Sequence, residues 1–187
     1  MRVIMLHAGF TPWLNVTRPG PFVVQTEQGF EVTLGTNVLG TIYLTQRLLP
    51  LLEAGAPSRV VVLSSELARL SPAVPLHDLG GEKLTSCDMA EYALSKLCDA
   101  LYAVAFSARY SSRGVLAVST HPGVVATELA GKAHPGCFSS GMLCCGSMIA
   151  CTPQEGAISS LYAATVPGLK GANRAACPLA FARMLTQ

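Results

Sequence analysis

Charge is scarce in this chain. Only 13% of its residues are Asp, Glu, Lys or Arg, against roughly a quarter in ordinary soluble domains. The net charge of +2 comes from scattered basic residues rather than from a run, so there is no electrostatic footprint for nucleic acid. Long apolar runs are lacking as well. No stretch reaches the roughly 18 apolar residues of a membrane span, and Cys137 to Ile149, apolar but interspersed with Ser and Gly, allows at most peripheral contact with a membrane. The apolar run from Met1 to Gly9 is too short for a secretory leader, so no signal peptide is expected. The sequon Asn15-Val16-Thr17 is a chance-level match. Paired metal-ligand spacing is also missing. Cys87, Cys98, Cys137, Cys144, Cys145, Cys151 and Cys177 make an odd number, without CxxC pairs and without His at ligand spacing. They read as reduced thiols in an intracellular compartment, with no metal, in the cytoplasm or on the cytoplasmic face of a membrane.

What is present is apolar mass: 50% of 187 residues are hydrophobic, enough to bury one sizeable core and to expect a single domain over 1–187. Arg2 to Leu6, Arg59 to Leu63 and Val115 to Thr120 are unbroken rather than alternating apolar runs, the pattern of strands buried on both faces of a parallel sheet. Between them lie helical spacings. Phe30, Leu34, Val38, Thr41, Leu44, Leu48 and Leu52 mark one long helix that stops at Ala54-Gly55, with Pro57 beyond. Leu97, Leu101 and Val104 mark another over Tyr92 to Tyr110, ended by Ser111-Ser112-Arg113-Gly114. Pro72, Pro75 and Gly80-Gly81 predict a loop over 70–84. Thr152-Pro153-Gln154-Glu155 is a capping box with Pro at the first helical position. The order β-α-β-α-β-loop-α predicts an α/β fold, a doubly wound parallel sheet joined by right-handed crossovers.

In that topology the strand ends at Leu6, Leu63 and Thr120 open on one edge, where sites form. Tyr92 and Lys96 share a helix face four residues apart. An ammonium near a phenol favours the phenolate and is expected to lower the tyrosine pKa, so that Tyr92 exchanges a proton near neutral pH. Ser65 follows the second strand and His121-Pro122-Gly123 the third. A hydroxyl, a phenol and an ammonium suit a reaction in which a carbonyl oxygen gains or loses a proton, as in hydride transfer. Taken singly, each residue has a plainer reading as packing, turn chemistry or solvated surface. His77 and His121 read as structural, and Cys144-Cys145 with Met142 and Met148 as packing.

As an ordered set these residues resemble the short-chain dehydrogenases/reductases, in their retinol-dehydrogenase-like and WW-domain-oxidoreductase-like branch, over roughly residues 3 to 165. The landmarks are His7-Ala8-Gly9, Gly29-Phe30-Glu31 through Thr36-Asn37-Val38-Leu39-Gly40, Ser64-Ser65, Tyr92-x-x-x-Lys96 and Pro122-Gly123-Val124-Val125-Ala126-Thr127, with His77-Asp78-Leu79 ahead of the tyrosine. The resemblance implies Tyr92 as general acid/base, Ser65 as the hydroxyl orienting the carbonyl, and Lys96 holding the nicotinamide ribose. It implies Asn37 as anchor of a proton-relay water. Gly9, Pro122, Gly123, Val125 and Thr127 would join Tyr92 and Lys96 in binding NADP or NAD. Residues 130–151 would form the variable substrate lid, whose apolar side chains imply a small lipophilic substrate of retinoid, steroid or lipid type.

Three features depart from the family pattern. No glycine-rich turn between a strand and a helix is present to hold a pyrophosphate; Gly136 to Gly141 is spaced like a P-loop but continues Met142-Leu143. His7 stands where the family has its second Asn, and Glu66 puts a charge after Ser65. The family's fourth strand matches residues 2–6, which are therefore expected to form an exposed sheet edge. Two readings follow: an oxidoreductase whose sequence here lacks its N-terminal third, or a short product that binds no cofactor and acts by pairing with a full-length relative. Homo-oligomerisation is a further expectation.

Overall fold

The computed structural model describes residues 1–6, 9, 24–71, 74, 76–81, 88–125 and 151–169. Three parallel strands, β1 (Arg2–Leu6), β2 (Ser58–Leu63) and β3 (Val115–Thr120), form a sheet in the order β1-β2-β3. Ile4 lies opposite Val60 and Val60 opposite Ala117, while Met5, Val61 and Val118 form the next row. Successive rows face opposite sides. Val60, Val62, Val115 and Ala117 pack with Leu52, Ala103, Phe106 and Tyr110 on one side, and Val61 and Val118 pack with Ala163 and Ala164 on the other. Both faces of β2 are therefore apolar, which is why its sequence does not alternate.

The first face is covered by α2 (Gly40–Ala54) and α3 (Asp88–Tyr110), the second by α4 (Pro153–Thr165). The long helix expected over 29–52 is not uniform. It starts as α1 (Val32–Leu34), capped by the Glu31 carboxylate, which accepts from the Thr33 and Leu34 N–H groups at 2.7 Å. It then widens into a π-turn, Gly35–Leu39, before continuing as α2. A single π-turn rotates the residues beyond it and often marks a functional site; here it buries Asn37 and Val38. The second helix begins at Asp88, four residues before the expected start at Tyr92. A short 3-10 turn, Glu66–Leu70, is too brief for any periodicity to have announced it.

α4 opens with the expected capping box: the Thr152 hydroxyl accepts from the Glu155 N–H, and the Glu155 side chain accepts from the Thr152 N–H. Its far end is closed from the sheet. Arg59 of β2 is buried, and its guanidinium donates to the carbonyls of Ala163 and Val166, acceptors that a helix end leaves unsatisfied. An arginine in a core strand is thereby explained as a helix cap.

β1 forms the sheet edge among the described residues. Its side chains Val3 and Met5 are 38% and 52% exposed, as expected for a strand paired on one side only. Gly114, between α3 and β3, has φ of 76°, and a Cβ there would meet the Ala56 Cβ at 2.8 Å. Gly114→Ala should therefore lower the unfolding free energy by about 1–2 kcal/mol, the cost of a left-handed alanine, more if Ala56 cannot move. A lower urea midpoint at unchanged m-value is the expected reading.

Candidate active site

At the C-terminal edge of the sheet, α3 presents Tyr92 and Lys96 toward the end of β2. Lys96 is 2% exposed. Its Nζ donates to the Leu63 carbonyl at 2.9 Å and to Asp99 Oδ2 at 2.9 Å, and lies 5.8 Å from the Tyr92 ring centroid. Burial raises the pKa of the Tyr92 phenol and the Ser65 hydroxyl acts against that rise, while Ser65 Oγ accepts from the Leu67 N–H as cap of the 3-10 turn. That engagement fixes the hydroxyl in place. The neighbouring Ser64 donates to the Lys96 carbonyl at 2.6 Å, tying β2 to α3 directly behind the pair.

Asn37 joins from the π-turn. It is fully buried; its Nδ2 donates to Ser95 Oγ at 3.1 Å, and Ser95 Oγ donates to the Tyr92 carbonyl at 2.8 Å. Asn37, Ser65, Tyr92 and Lys96 are thus brought together from three elements. Pro122 and Gly123 continue from β3, with Gly123 at φ of 86°. Val125 makes an isolated parallel bridge to Cys151, and its side chain occupies the space that a Cβ on Gly156 of α4 would need. Gly9 is described and half-buried, with nothing within 4 Å of where a Cβ would lie. Thr127, His7 and residues 130–150 of the expected lid lie outside the described residues.

One expectation is overturned. Lys96 does not depress the Tyr92 pKa in this arrangement: burial pushes the phenol above its ordinary value, the Ser65 hydroxyl opposes that, and the Asp99 charge adds to the rise. Burial is the largest cause of the rise, and Lys96 Nζ is itself ion-paired with the buried Asp99 at 2.9 Å. Tyr92 therefore keeps its proton at neutral pH. The charge of Glu66 is also less intrusive than its place after Ser65 suggests, since Glu66 is exposed and paired with Arg69 at 2.7 Å. A cleft of about 210 Å³ opens beside Ser65, bordered by Ser64, Glu66, Arg69, Ser119 and His121. His121 is buried with Nδ1 unpartnered; burial lowers its pKa, with Glu66 opposing and Arg69 reinforcing the shift.

Reasoning from the sequence missed Ser95 and Asp99. Ser95 carries no signal, but Lys96 and Asp99 stand at i, i+3, a spacing that pairs charges on any helix. Burial raises the Asp99 carboxyl from its ordinary 3.8 to about 6, against the attraction and hydrogen bond of Lys96. A folded pKa above the unfolded one gives stability that is complete below the unfolded pKa and is lost as pH rises through the folded one. Unfolding free energy should thus fall by on the order of 2 kcal/mol from about pH 4 to about pH 6, if other groups change little. Comparing urea unfolding of the chain with that of Asp99→Asn checks this, since the variant should lose that part of the slope.

No family model matches the chain. It is 39% identical over 163 residues to retinol dehydrogenase 11 of Mus musculus, covering 84% of this chain and 49% of that protein. To retinol dehydrogenase 14 of Mus musculus it is 35% identical over 148 residues, covering 79% and 44%. The chain spans about half the length of these curated relatives. A solved short-chain dehydrogenase from Salmonella enterica serovar Typhi shares the fold with a TM-score of 0.64, at 20% identity over 95% of this chain and 62% of that one.

Proposed function

The chain belongs to the short-chain dehydrogenase/reductase family, in its retinol-dehydrogenase-like branch, and from that premise we propose that its site interconverts an alcohol and a carbonyl on a lipophilic, retinoid-like substrate. The observation that carries the reading is the placement of Tyr92, beside the buried ammonium of Lys96, with Ser65 at the C-terminal edge of a parallel sheet. Ser65, fixed as a cap, directs its hydroxyl to the carbonyl oxygen. Tyr92 gives that oxygen a proton as negative charge develops on it, and takes the proton back in the reverse direction. A phenol that stays protonated at neutral pH suits the reducing direction.

The residues present fit the nicotinamide end of a dinucleotide. Thr120 Oγ1 and His121 Nδ1 are buried polar atoms without a partner among the described residues, next to the Pro122–Val125 turn. Thr120 stands in register with Leu63, whose carbonyl takes Lys96. Gly9, Tyr92, Lys96, Pro122, Gly123 and Val125 would hold that end, and Thr127 by resemblance. Bound NADP or NAD supplies or accepts the hydride. Asn37, through Ser95, keeps the first turns of α3 in position beneath the phenol.

A second reading is favoured by the edge that β1 leaves unpaired among the described residues, where Val3 and Met5 are exposed: a chain that binds no cofactor and pairs along that edge with a full-length relative. The two are separated by joining the chain to the glycine-rich N-terminal portion of a short-chain dehydrogenase/reductase and following NADPH or NADH oxidation with retinal. Saturable turnover supports the oxidoreductase. A fusion that binds cofactor but turns over neither retinal nor other lipophilic carbonyls sinks it, and co-elution of the unfused chain with a relative then supports the second reading.

A further inference from the structure

Gly156 is buried in the first turn of α4, and its backbone gives no reason for a glycine. Its N–H donates to the Thr152 carbonyl at 2.9 Å as in any helix, and its φ is not positive. For the helix alone, alanine would be the better residue. The reason lies across the interface. A Cβ at residue 156 would stand 2.6 Å from Val125 Cγ2, 3.3 Å from Val125 Cγ1 and 3.6 Å from the Pro122 carbonyl oxygen. Both methyl groups of Val125 therefore point at α4.

The contacts beside it join the same two segments. Past Thr120 the chain leaves the sheet and bends at Gly123, and residues 151–156 take hold of it there. The Cys151 N–H donates to the Val124 carbonyl at 2.8 Å, and Val125 and Cys151 form a parallel bridge. The Cys151 thiol donates to the Val124 carbonyl at 3.3 Å and lies 3.7 Å from that of Pro122. α4 itself is fixed at both ends, by the capping box at Thr152 and by the Arg59 guanidinium of β2 on the carbonyls of Ala163 and Val166. It forms a firm floor beneath the turn. Valine is stiff at χ1, so a methyl group added to that floor is relieved by moving the backbone of the turn.

We infer that Gly156 is a positioning residue for the Pro122–Val125 turn: its missing side chain lets the turn settle onto α4 and thereby sets where the turn's backbone stands at the sheet edge. The inference rests on reading that turn as a contact of the nicotinamide end. It also gives Val125 its part through the backbone, since its methyl groups are turned to α4.

The test uses the fusion with a glycine-rich N-terminal portion, titrated with NADPH and NADH by calorimetry, and hydrogen exchange on the 187-residue chain. Gly156→Ala should raise the cofactor Kd by about tenfold, within the range that a small misplacement of a contact produces. A glycine without positional consequence predicts the opposite, an unchanged Kd in a protein at least as resistant to urea, since alanine favours the helix. Adding Val125→Ala removes both methyl groups that the new Cβ meets and should recover most of the lost affinity, which general damage to α4 would not allow. In the 187-residue chain the Cys151 amide, whose bond to Val124 reports the seat of the turn, should exchange faster in Gly156→Ala and regain protection in the double variant. Equal Kd values for the parent and Gly156→Ala fusions would overturn the inference, as would a Kd that the double variant fails to recover. If Gly156→Ala does not fold, the double variant is set against Val125→Ala: the inference expects Kd values within a factor of about two, and a further tenfold loss overturns it. A parent fusion that binds neither cofactor overturns the oxidoreductase reading and this inference with it, whereas a binding parent unaffected by Gly156→Ala overturns this inference alone.

Discussion

Tyr92→Phe, placed in the fusion with a glycine-rich N-terminal portion, is expected to lower turnover by at least about 100-fold, the usual contribution of a general acid or base. The substitution removes only the phenolic oxygen. The ring remains between Ser65 and Lys96, so packing at the start of α3 is kept, and Ser65 stays fixed as the cap of its 3-10 turn by the Leu67 N–H. What is lost is the group proposed to give a proton to a carbonyl oxygen oriented by Ser65. Cofactor affinity should fall far less than turnover, since of the proposed cofactor contacts only that of the Tyr92 hydroxyl is removed while Lys96 and the Pro122–Val125 turn are untouched; a fall in kcat much larger than any rise in cofactor Kd is the expected pattern. Turnover within about tenfold of the parent would remove Tyr92 from the role, and Ser65 and Asn37 with it. Lys96→Ala is a less clean experiment than its place in the motif suggests. It strips Asp99 of its partner, and breaking a buried ion pair from one side costs about 3–5 kcal/mol, so loss of activity there would mix chemistry with loss of fold.

The second large effect concerns affinity. The 187-residue chain by itself is expected to bind NADPH or NADH no more tightly than about 1 mM, a scale on which only about 4 kcal/mol of binding free energy is realised. In the family the chain belongs to, pyrophosphate binding comes from backbone N–H groups of a glycine-rich turn at a helix N-terminus. No such turn occurs in this sequence. On the proposed reading, what the chain offers, Tyr92, Lys96 and the turn after β3, would reach the nicotinamide riboside end alone, and Lys96 would enter that contact with two donors already engaged by Leu63 and Asp99. Nicotinamide fluorescence or calorimetry on the purified chain measures this directly. Saturable one-to-one binding in the low micromolar range would show that the remaining contacts suffice.

The three strands and their parallel pairing were legible because each is an unbroken apolar run, and only burial on both faces rewards such a run. The cap at Thr152 and the stop at Gly114 were legible for a similar reason: both are local, settled by a side chain or a φ angle within a few residues. The interior of the first long helix was not. Its apolar spacing carries straight through Gly35–Leu39, and a π-turn leaves no mark in a periodicity read over many residues; here Gly35 permits close approach to Thr26, and the buried Asn37 to Ser95 bond spans 58 positions.

Residue types and order alone determined the fold class and the edge at which a site would form, since topology brings strand ends together whatever the side-chain detail; that Asn37 joins Ser65, Tyr92 and Lys96 was implied only by the family resemblance. How those groups act on one another was decided only in three dimensions. The lysine four residues from the tyrosine was expected to draw off its proton, but burial raises the pKa of the phenol and the charge of Asp99, one turn beyond the lysine, adds to the rise. Spacing along a helix fixes which groups share a face. The sign of their electrostatic effect depends on burial and on the full set of neighbours within a few ångströms, and those come from the packing of α3 against β2, the π-turn and the end of β3.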